Sequence, residues 1–265
     1  MIDVPAYLAR IGYHGSVAPT LPVLQALHLA HLRHVPFENL DIHLGRPISL
    51  AEDDLFAKVV GRRRGGVCYE LNGLFAALLR EIGYEVTLLA AQFPLPDGRE
   101  PIACDHLVLR VAAPGMAPVL ADVAAGRNGF ASPLAIDGDA AQAQPAAGAS
   151  FRLLPEEGAI RLWRLEPGRE WERGYRFTWQ PRQLMDFAEG CRYHQTSPDS
   201  GFTQKRICTL LTPTGRVTLA DDVLITTRCG NRHEEPLPDD AAWLAALDVH
   251  FGIVLAHART GKEAP

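Results

Sequence analysis

The chain has 265 residues, 47% hydrophobic and 22% charged, with a formal net charge of −5 at pH 7. That balance is globular rather than disordered, with ample core for one large domain or several small ones. It also excludes a general attraction for nucleic acid or for an anionic membrane.

The first third reads as helical. Thr20-Leu21-Pro22 opens a helix, with proline early in the first turn where its missing donor costs nothing. Leu24, Leu27, His28 and His31 recur at helical spacing, and Pro36 ends the run. Ser49 and Glu52 form an S-x-x-E capping box ahead of Leu55, Phe56, Val59 and Val60. A third helix spans about Cys68 to Ile82, with Gly83 as its stop. Beyond Gly83 the period changes to that of strands in EVTLLAAQF, DHLVLRV, APVLADV, SFRLL, IRLWRL and YRFTW. The small-residue stretch from Ala135 to Ser150 reads as an exposed loop. KRICTLLT, RVTLA and DVLITTR are three more strands, and DDAAWLAALDVHF is a closing helix capped by Asp239. The fold expected is α+β: a helical bundle at 1–84, a β-barrel-like domain at 85–190 and a small α/β unit at 191–265.

No apolar run reaches the ~20 residues of a membrane span, and MIDVPAYLARIGYHG lacks the pattern of a signal peptide. The five cysteines (Cys68, Cys104, Cys191, Cys208 and Cys229) are odd in number and include no CxxC pair. A disulfide framework and a structural zinc site are both disfavoured. The expectation is a cytoplasmic protein with reduced thiols and no metal.

One stretch carries chemistry. In RRRGGVCYELNGLF, three arginines and two glycines lead into Cys68 at the first turn of a helix. Glycines permit a tight turn and close approach. A helix start favours negative charge, and the thiolate is the nucleophilic form of cysteine. Such a nucleophile needs a base and an orienting group. His106 opens one strand and Asp122 closes the next, so two neighbouring strands can present them side by side. Cys104 shares a strand face with His106 but lacks the helix terminus. His28, His31 and His34 step by three along a helix, yet no carboxylate completes a metal motif there.

These residues resemble the arylamine N-acetyltransferases over nearly the whole chain. HVPFENLDIHLG is similar to that family's N-terminal motif, RGGVCYELNGLF to its nucleophile motif, and DHLVLRV to the strand with its histidine. LADVAAG stands where the family has its aspartate, and RFTWQPRQLMDF with TSPDSGF leads into its C-terminal lid. The resemblance implies a cysteine-protease or transglutaminase-like catalytic core with a Cys68–His106–Asp122 triad. It implies acetyl-CoA as cosubstrate, and an arylamine, hydrazine or N-hydroxyarylamine as acceptor in a ping-pong reaction. Phe37 and Phe202 match positions that line an apolar acceptor slot. Glu38 pairs with Arg64 as structural support, Arg62 and Arg63 are candidates for the CoA phosphates, and the Gly126 loop is where CoA approaches backbone.

Rival readings share the triad: an amide synthase that releases an arylamine-ended polyketide, or a cysteine hydrolase or transglutaminase-like enzyme. A degenerate member that only binds is disfavoured by retention of all three triad residues. The chain departs from the family at Ala124-Ala125, where Gly-Phe is usual. A lost aromatic widens the slot unless Phe130 folds back to replace it, so a preference for bulkier amines is expected. A panel of small and fused-ring arylamines tests this: Ala125→Phe should shift preference toward the small ones, and an unchanged ranking would reject the idea.

Overall fold

A computed structural model describes residues 2–95 and 98–258. Helices α1 (Val4–Arg10) and α2 (Leu21–His34) precede a two-residue strand, β1 (Phe37–Glu38). The short helices α3 (Leu40–His43) and α4 (Glu52–Phe56) follow. α4 widens into one π-helical turn, Ala57–Gly61, before α5 (Cys68–Ile82). On α2 the predicted stripe of Leu24, Leu27, His28 and His31 is the buried one. α5 ends at Gly83, whose φ of 105° suits a residue without a Cβ. Ser49 does not cap α4. Its hydroxyl donates to Asp54 Oδ2 at 2.6 Å and accepts from the Ala51 amide at 3.2 Å. The serine therefore shapes a turn ahead of the helix, and Ala51 holds the N-cap.

The middle of the chain is one antiparallel sheet of eight strands. These are β2 (Glu85–Gln92), β3 (His106–Ala113), β4 (Met116–Ala121), β5 (Leu134–Ala135), β6 (Gln142–Gln144), β7 (Ala149–Glu156), β8 (Ala159–Leu165) and β9 (Glu172–Arg182). Their order is β5-β4-β3-β2-β9-β8-β7-β6. Glutamine side chains bridge the two end strands. Gln142 accepts from Ala135 N at 2.8 Å and donates to Ala135 O at 3.1 Å. Gln144 accepts from Ala131 N and Ser132 N at 2.8 and 2.9 Å and donates to Ser132 O at 2.7 Å. Side-chain amides stand in for a missing ladder, and the sheet is a nearly closed barrel. The stretch from Ala135 to Ser150 is therefore not a plain exposed loop: it carries an edge strand and the buried Gln144.

β3 is covered on both faces. Leu107, Leu109 and Val111 join the core built on α5, whereas Val108 belongs to the barrel core with Leu120, Phe151 and Tyr175. Strand period 2 puts His106 on the face of Val108. β3 and β4 pair Leu109 with Ala121 and Arg110 with Leu120. Continuing that register sets Asp122 opposite Val108, on the same face and diagonal to His106.

Helices α6 (Ala188–Thr196) and α7 (Gly201–Gln204) lead to a second antiparallel sheet, ordered β1-β10-β11-β12-β13. Its strands are β10 (Ile207–Thr212), β11 (Gly215–Ala220), β12 (Val223–Arg228) and β13 (Asn231–Pro236). Helix α8 (Asp240–Phe251) covers this sheet with Trp243, Leu247 and Phe251, and Asp239 caps it through Ala242 N at 2.8 Å. The unpredicted β13 is exposed throughout. It folds back at Cys229-Gly230, both at positive φ, in a two-residue hairpin turn. The unpredicted β1 matters more. Phe37 pairs with Thr209 on one side and bridges Gly66 on the other, so the C-terminal sheet is stitched to the turn that carries Cys68.

Candidate active site

Cys68 is the first residue of α5 and is buried. The two glycines ahead of it serve close approach within the protein. A Cβ on Gly65 would lie 1.9 Å from the Pro36 carbonyl oxygen, and one on Gly66 would lie 2.6 Å from the Glu70 carboxylate. The Glu38 amide donates to Gly66 O at 3.0 Å. Glu70 caps the helix by accepting from Val67 N at 2.9 Å. The amides of Cys68 and Tyr69, at the first turn, have no carbonyl four residues back inside the helix.

A buried ionic network holds this turn. Arg64 contacts Glu38 Oε1 at 2.8 Å and Asp41 Oδ1 at 3.0 Å. Lys58 contacts Asp41 Oδ2 at 2.7 Å and Glu70 Oε1 at 2.8 Å. The pairing of Glu38 with Arg64 is as expected; Asp41, Lys58 and Glu70 are members the sequence reading missed. Burial alone would lower Lys58, but Glu38, Glu70 and Asp41 outweigh it and hold it above its ordinary value. Burial pushes Glu70 up despite Lys58. Arg62 and Arg63 are exposed, and Arg10 clamps the bend from behind through the carbonyls of Arg63 and Arg64.

His106 connects the thiol to the carboxylate. Its Nε2 donates to Asp122 Oδ2 at 2.8 Å, which leaves Nδ1 for the hydrogen bond with Cys68. Asp122 Oδ1 accepts from Asn72 Nδ2 and from Ala124 N, each at 2.9 Å. Asn72 also donates to Leu107 O at 2.7 Å and accepts from Val123 N at 2.9 Å. This asparagine ties α5 to β3 and to the residues that follow β4. Its position four residues after Cys68, on the same helix face, was the available signal.

Behind Asp122 sits His28. Its Nε2 contacts the Asp122 carbonyl at 3.0 Å and amide at 3.3 Å, and its Nδ1 the Ala131 carbonyl at 3.2 Å. Burial pushes His28 down to about 4, so it is a neutral brace. His31 bonds Tyr7, and His34 bonds its own helix at Ala30. Among the described residues no three His, Cys, Asp or Glu side chains converge as a metal site.

The electrostatics favour a protonated imidazole at His106. Burial by itself would lower His106, but the Asp122 carboxylate and Cys68 outweigh it and hold the imidazole well above its ordinary range. Burial would raise Asp122, yet His106, Asn72 and the Ala124 amide hold it below the usual carboxylate value.

Aromatic rings surround this centre. Phe37 and Phe202 meet edge to face at 5.7 Å and pack, half-buried, against the core that includes Cys68. His194 packs tilted against Phe202 at 4.9 Å and pairs with Asp105 at 3.2 Å. On the barrel side Phe93 abuts the His106 ring at 5.1 Å, and Tyr175 lies 5.4 Å from it. The sequence reading missed Phe93, His194 and Tyr175. Phe130 does not fold back into the slot: it is buried, stacked on His28 at 5.6 Å and packed against Phe151. Gly126, at φ 57°, starts a single 3-10 turn against Thr209 of β10. Cys104 sits apart from the helix start, its backbone carbonyl receiving the Tyr69 hydroxyl at 2.9 Å.

An N-acetyltransferase family profile matches residues 20–260. The chain is 36% identical to an arylamine N-acetyltransferase of Mycolicibacterium smegmatis, over 96% of this chain and 93% of that one. It is 32% identical to the arylamine N-acetyltransferase of Escherichia coli K12, over 96% and 90%. The structure of the Mycobacterium marinum arylamine N-acetyltransferase in complex with CoA superposes with a TM-score of 0.89 at 35% identity, covering 95% of this chain and 93% of that one. The fold and the site define an acyltransferase. The chain belongs to the arylamine N-acetyltransferase family.

Proposed function

We propose that the protein moves an acetyl group from acetyl-CoA to an arylamine, a hydrazine or an N-hydroxyarylamine through an acetyl-Cys68 intermediate. The observation that carries the reading is His106 held between the Cys68 thiol and the Asp122 carboxylate at a helix start whose first amides have no carbonyl four residues back in the helix. The Cys68 thiolate attacks the thioester carbonyl, and the oxyanion forms beside the Cys68 amide. The tetrahedral intermediate collapses with loss of the CoA thiolate, which takes the proton of the His106 imidazolium. The acceptor amine then attacks the acetyl-cysteine, His106 removes its proton, and Cys68 leaves as thiolate. Asp122 keeps the imidazole in the required tautomer throughout. Phe37, Phe202 and Phe93 suit a flat apolar acceptor, and the Gly126 turn suits close approach of CoA to backbone. A cytoplasmic setting with a reduced thiol fits this chemistry.

Intact mass after brief exposure to acetyl-CoA without acceptor tests the reading. The expected result is a gain of one acetyl group that is absent in Cys68→Ala and is discharged by aniline. Stable acetylation that no simple arylamine discharges would instead support the polyketide amide synthase. No acetylation would reject the transferase.

A further inference from the structure

Phe93 and Phe202 stand on separate parts of the fold, the first directly after β2 and the second in α7. Their backbone amides are nevertheless the two ends of one polar chain. The Phe202 amide donates to Ser200 Oγ at 3.2 Å, and Ser200 Oγ meets His194 Nδ1 at 3.0 Å. His194 Nε2 lies 3.2 Å from Asp105 Oδ1 and 3.3 Å from the Asp105 carbonyl oxygen. Asp105 Oδ2 accepts from the Phe93 amide at 3.1 Å.

In a neutral ring the chemistry of these groups fixes every direction. Two acceptors face Nε2, so the imidazole proton sits there and Nδ1 accepts from the Ser200 hydroxyl. The Ser200 oxygen keeps lone pairs for the Phe202 amide and so caps α7. Enclosure strengthens the chain: Ser200 is 2% exposed, and the His194 and Asp105 side chains are 12% and 13% exposed. The chain also abuts the triad without belonging to it. Asp105 directly precedes His106, and its carbonyl receives the Tyr69 hydroxyl at 2.9 Å. At one end the Phe93 ring rests on the His106 ring at 5.1 Å, and at the other the His194 ring packs against Phe202 at 4.9 Å.

We propose that His194 is a positioning residue for the acceptor half of the reaction: through Ser200 and Asp105 it sets the separation of the Phe202 and Phe93 rings, and so the width of the slot a flat acceptor must enter. This rests on the arylamine reading above and adds what determines acceptor fit. His194 touches neither the thiol nor the catalytic imidazole in this scheme. It acts by holding two aromatic residues, one from the barrel and one from α7, to a common frame.

The test measures the two half-reactions separately in wild type, His194→Leu and His194→Gln. Leucine breaks both links, whereas glutamine can accept from Ser200 and donate to Asp105. Single-turnover acetylation of Cys68 by acetyl-CoA is expected to stay within about twofold of wild type in both variants. Discharge of the acetyl-enzyme by aniline and by 2-aminonaphthalene should fall roughly tenfold in the leucine variant, through weaker acceptor binding. Hydrazine, which has no ring, should be spared, and glutamine should restore most of the loss. Equal losses on all three acceptors, an equal slowing of acetylation, no loss at all, or a glutamine variant as poor as leucine would each overturn the proposal. Should the leucine variant not fold, Asp105→Ala cuts the chain on its other side: a ring-selective loss supports the proposal and a uniform one overturns it. If wild type takes no acetyl group from acetyl-CoA, the donor reading fails by itself, and the same comparison runs on enzyme acetylated with p-nitrophenyl acetate. If the wild-type acetyl-enzyme is discharged by no arylamine, the acceptor reading falls and this proposal with it.

Discussion

Replacing Asp122 by asparagine is expected to slow acetylation of Cys68 by about 10⁴-fold, on the scale of losing the orienting carboxylate of a catalytic triad. Both carboxylate oxygens accept hydrogen bonds, Oδ2 from His106 and Oδ1 from Asn72 and Ala124. An amide has one acceptor to offer. If its oxygen stays with Asn72 and Ala124, its NH2 faces His106 and forces the imidazole proton to Nδ1, the nitrogen that faces Cys68. If it flips, its NH2 meets two other donors. The variant also removes the main force that offsets burial at His106. In wild type, His106 keeps its proton through neutral pH and loses it only as pH rises well above its ordinary 6.5. In the variant, burial is opposed only by Cys68, and the proton is lost at lower pH than in wild type. Single-turnover acetylation and the pH profile of Cys68 alkylation read both effects. An unchanged acetylation rate would remove Asp122 from the mechanism.

Lys58→Met should cost about 3–5 kcal/mol of folding stability, the usual penalty for removing one partner of a buried ionic group. That is a large share of the roughly 5–15 kcal/mol that a whole protein commands. Lys58 bridges Asp41 and Glu70, so the variant leaves Glu70 without its lysine partner and Asp41 to Arg64 and the more distant, exposed Arg46. The pH dependence has a definite sign. Lys58 is raised in the fold, so its share of stability is complete at neutral pH and fades only as pH rises through its folded value. Asp41 is lowered by Lys58 and Arg64 in spite of burial, so its share is present above its ordinary 3.8 and fades as pH falls through its folded value. Without Lys58, Asp41 climbs, Glu70 climbs further, and the acid-unfolding midpoint moves to higher pH. Urea titrations across pH measure this, and a stability within about 1 kcal/mol of wild type, twice the scatter of surface substitutions, would show the network to be incidental.

How much of this was legible depends on whether the signal was local. The limits of α5 could be read because an amphipathic run is closed by Gly83, and the meeting of Cys68, His106 and Asp122 because a helix start and two strand ends point to one place. Lys58 could not, since a lysine beside a glycine and three arginines looks solvated until Asp41 and Glu70 are seen around it. β13 reads NRHEEP, a polar edge with no buried face and so no alternation. The glutamine clasp lies among alanines and glycines that carry no period, and its partners sit on the far edge of the sheet. Phe130 misled for a different reason: composition names an aromatic, but only packing tells that His28 and Phe151 already hold it.

β1 and the residue after it bear on how the molecule is made. Asn39 exchanges backbone and side-chain hydrogen bonds with Ile207 and donates to the carbonyls of Phe202 and Lys205. Phe37, next along, lies between Gly66 and Thr209. During synthesis the thiol, the imidazole and the carboxylate leave the ribosome long before the strand that completes this seam. A nascent chain therefore owns these three groups well before it owns Phe202, the ring that meets Phe37 edge to face. The surroundings of Cys68 are complete only when the last sheet docks, so this corner of the molecule is among the last to mature.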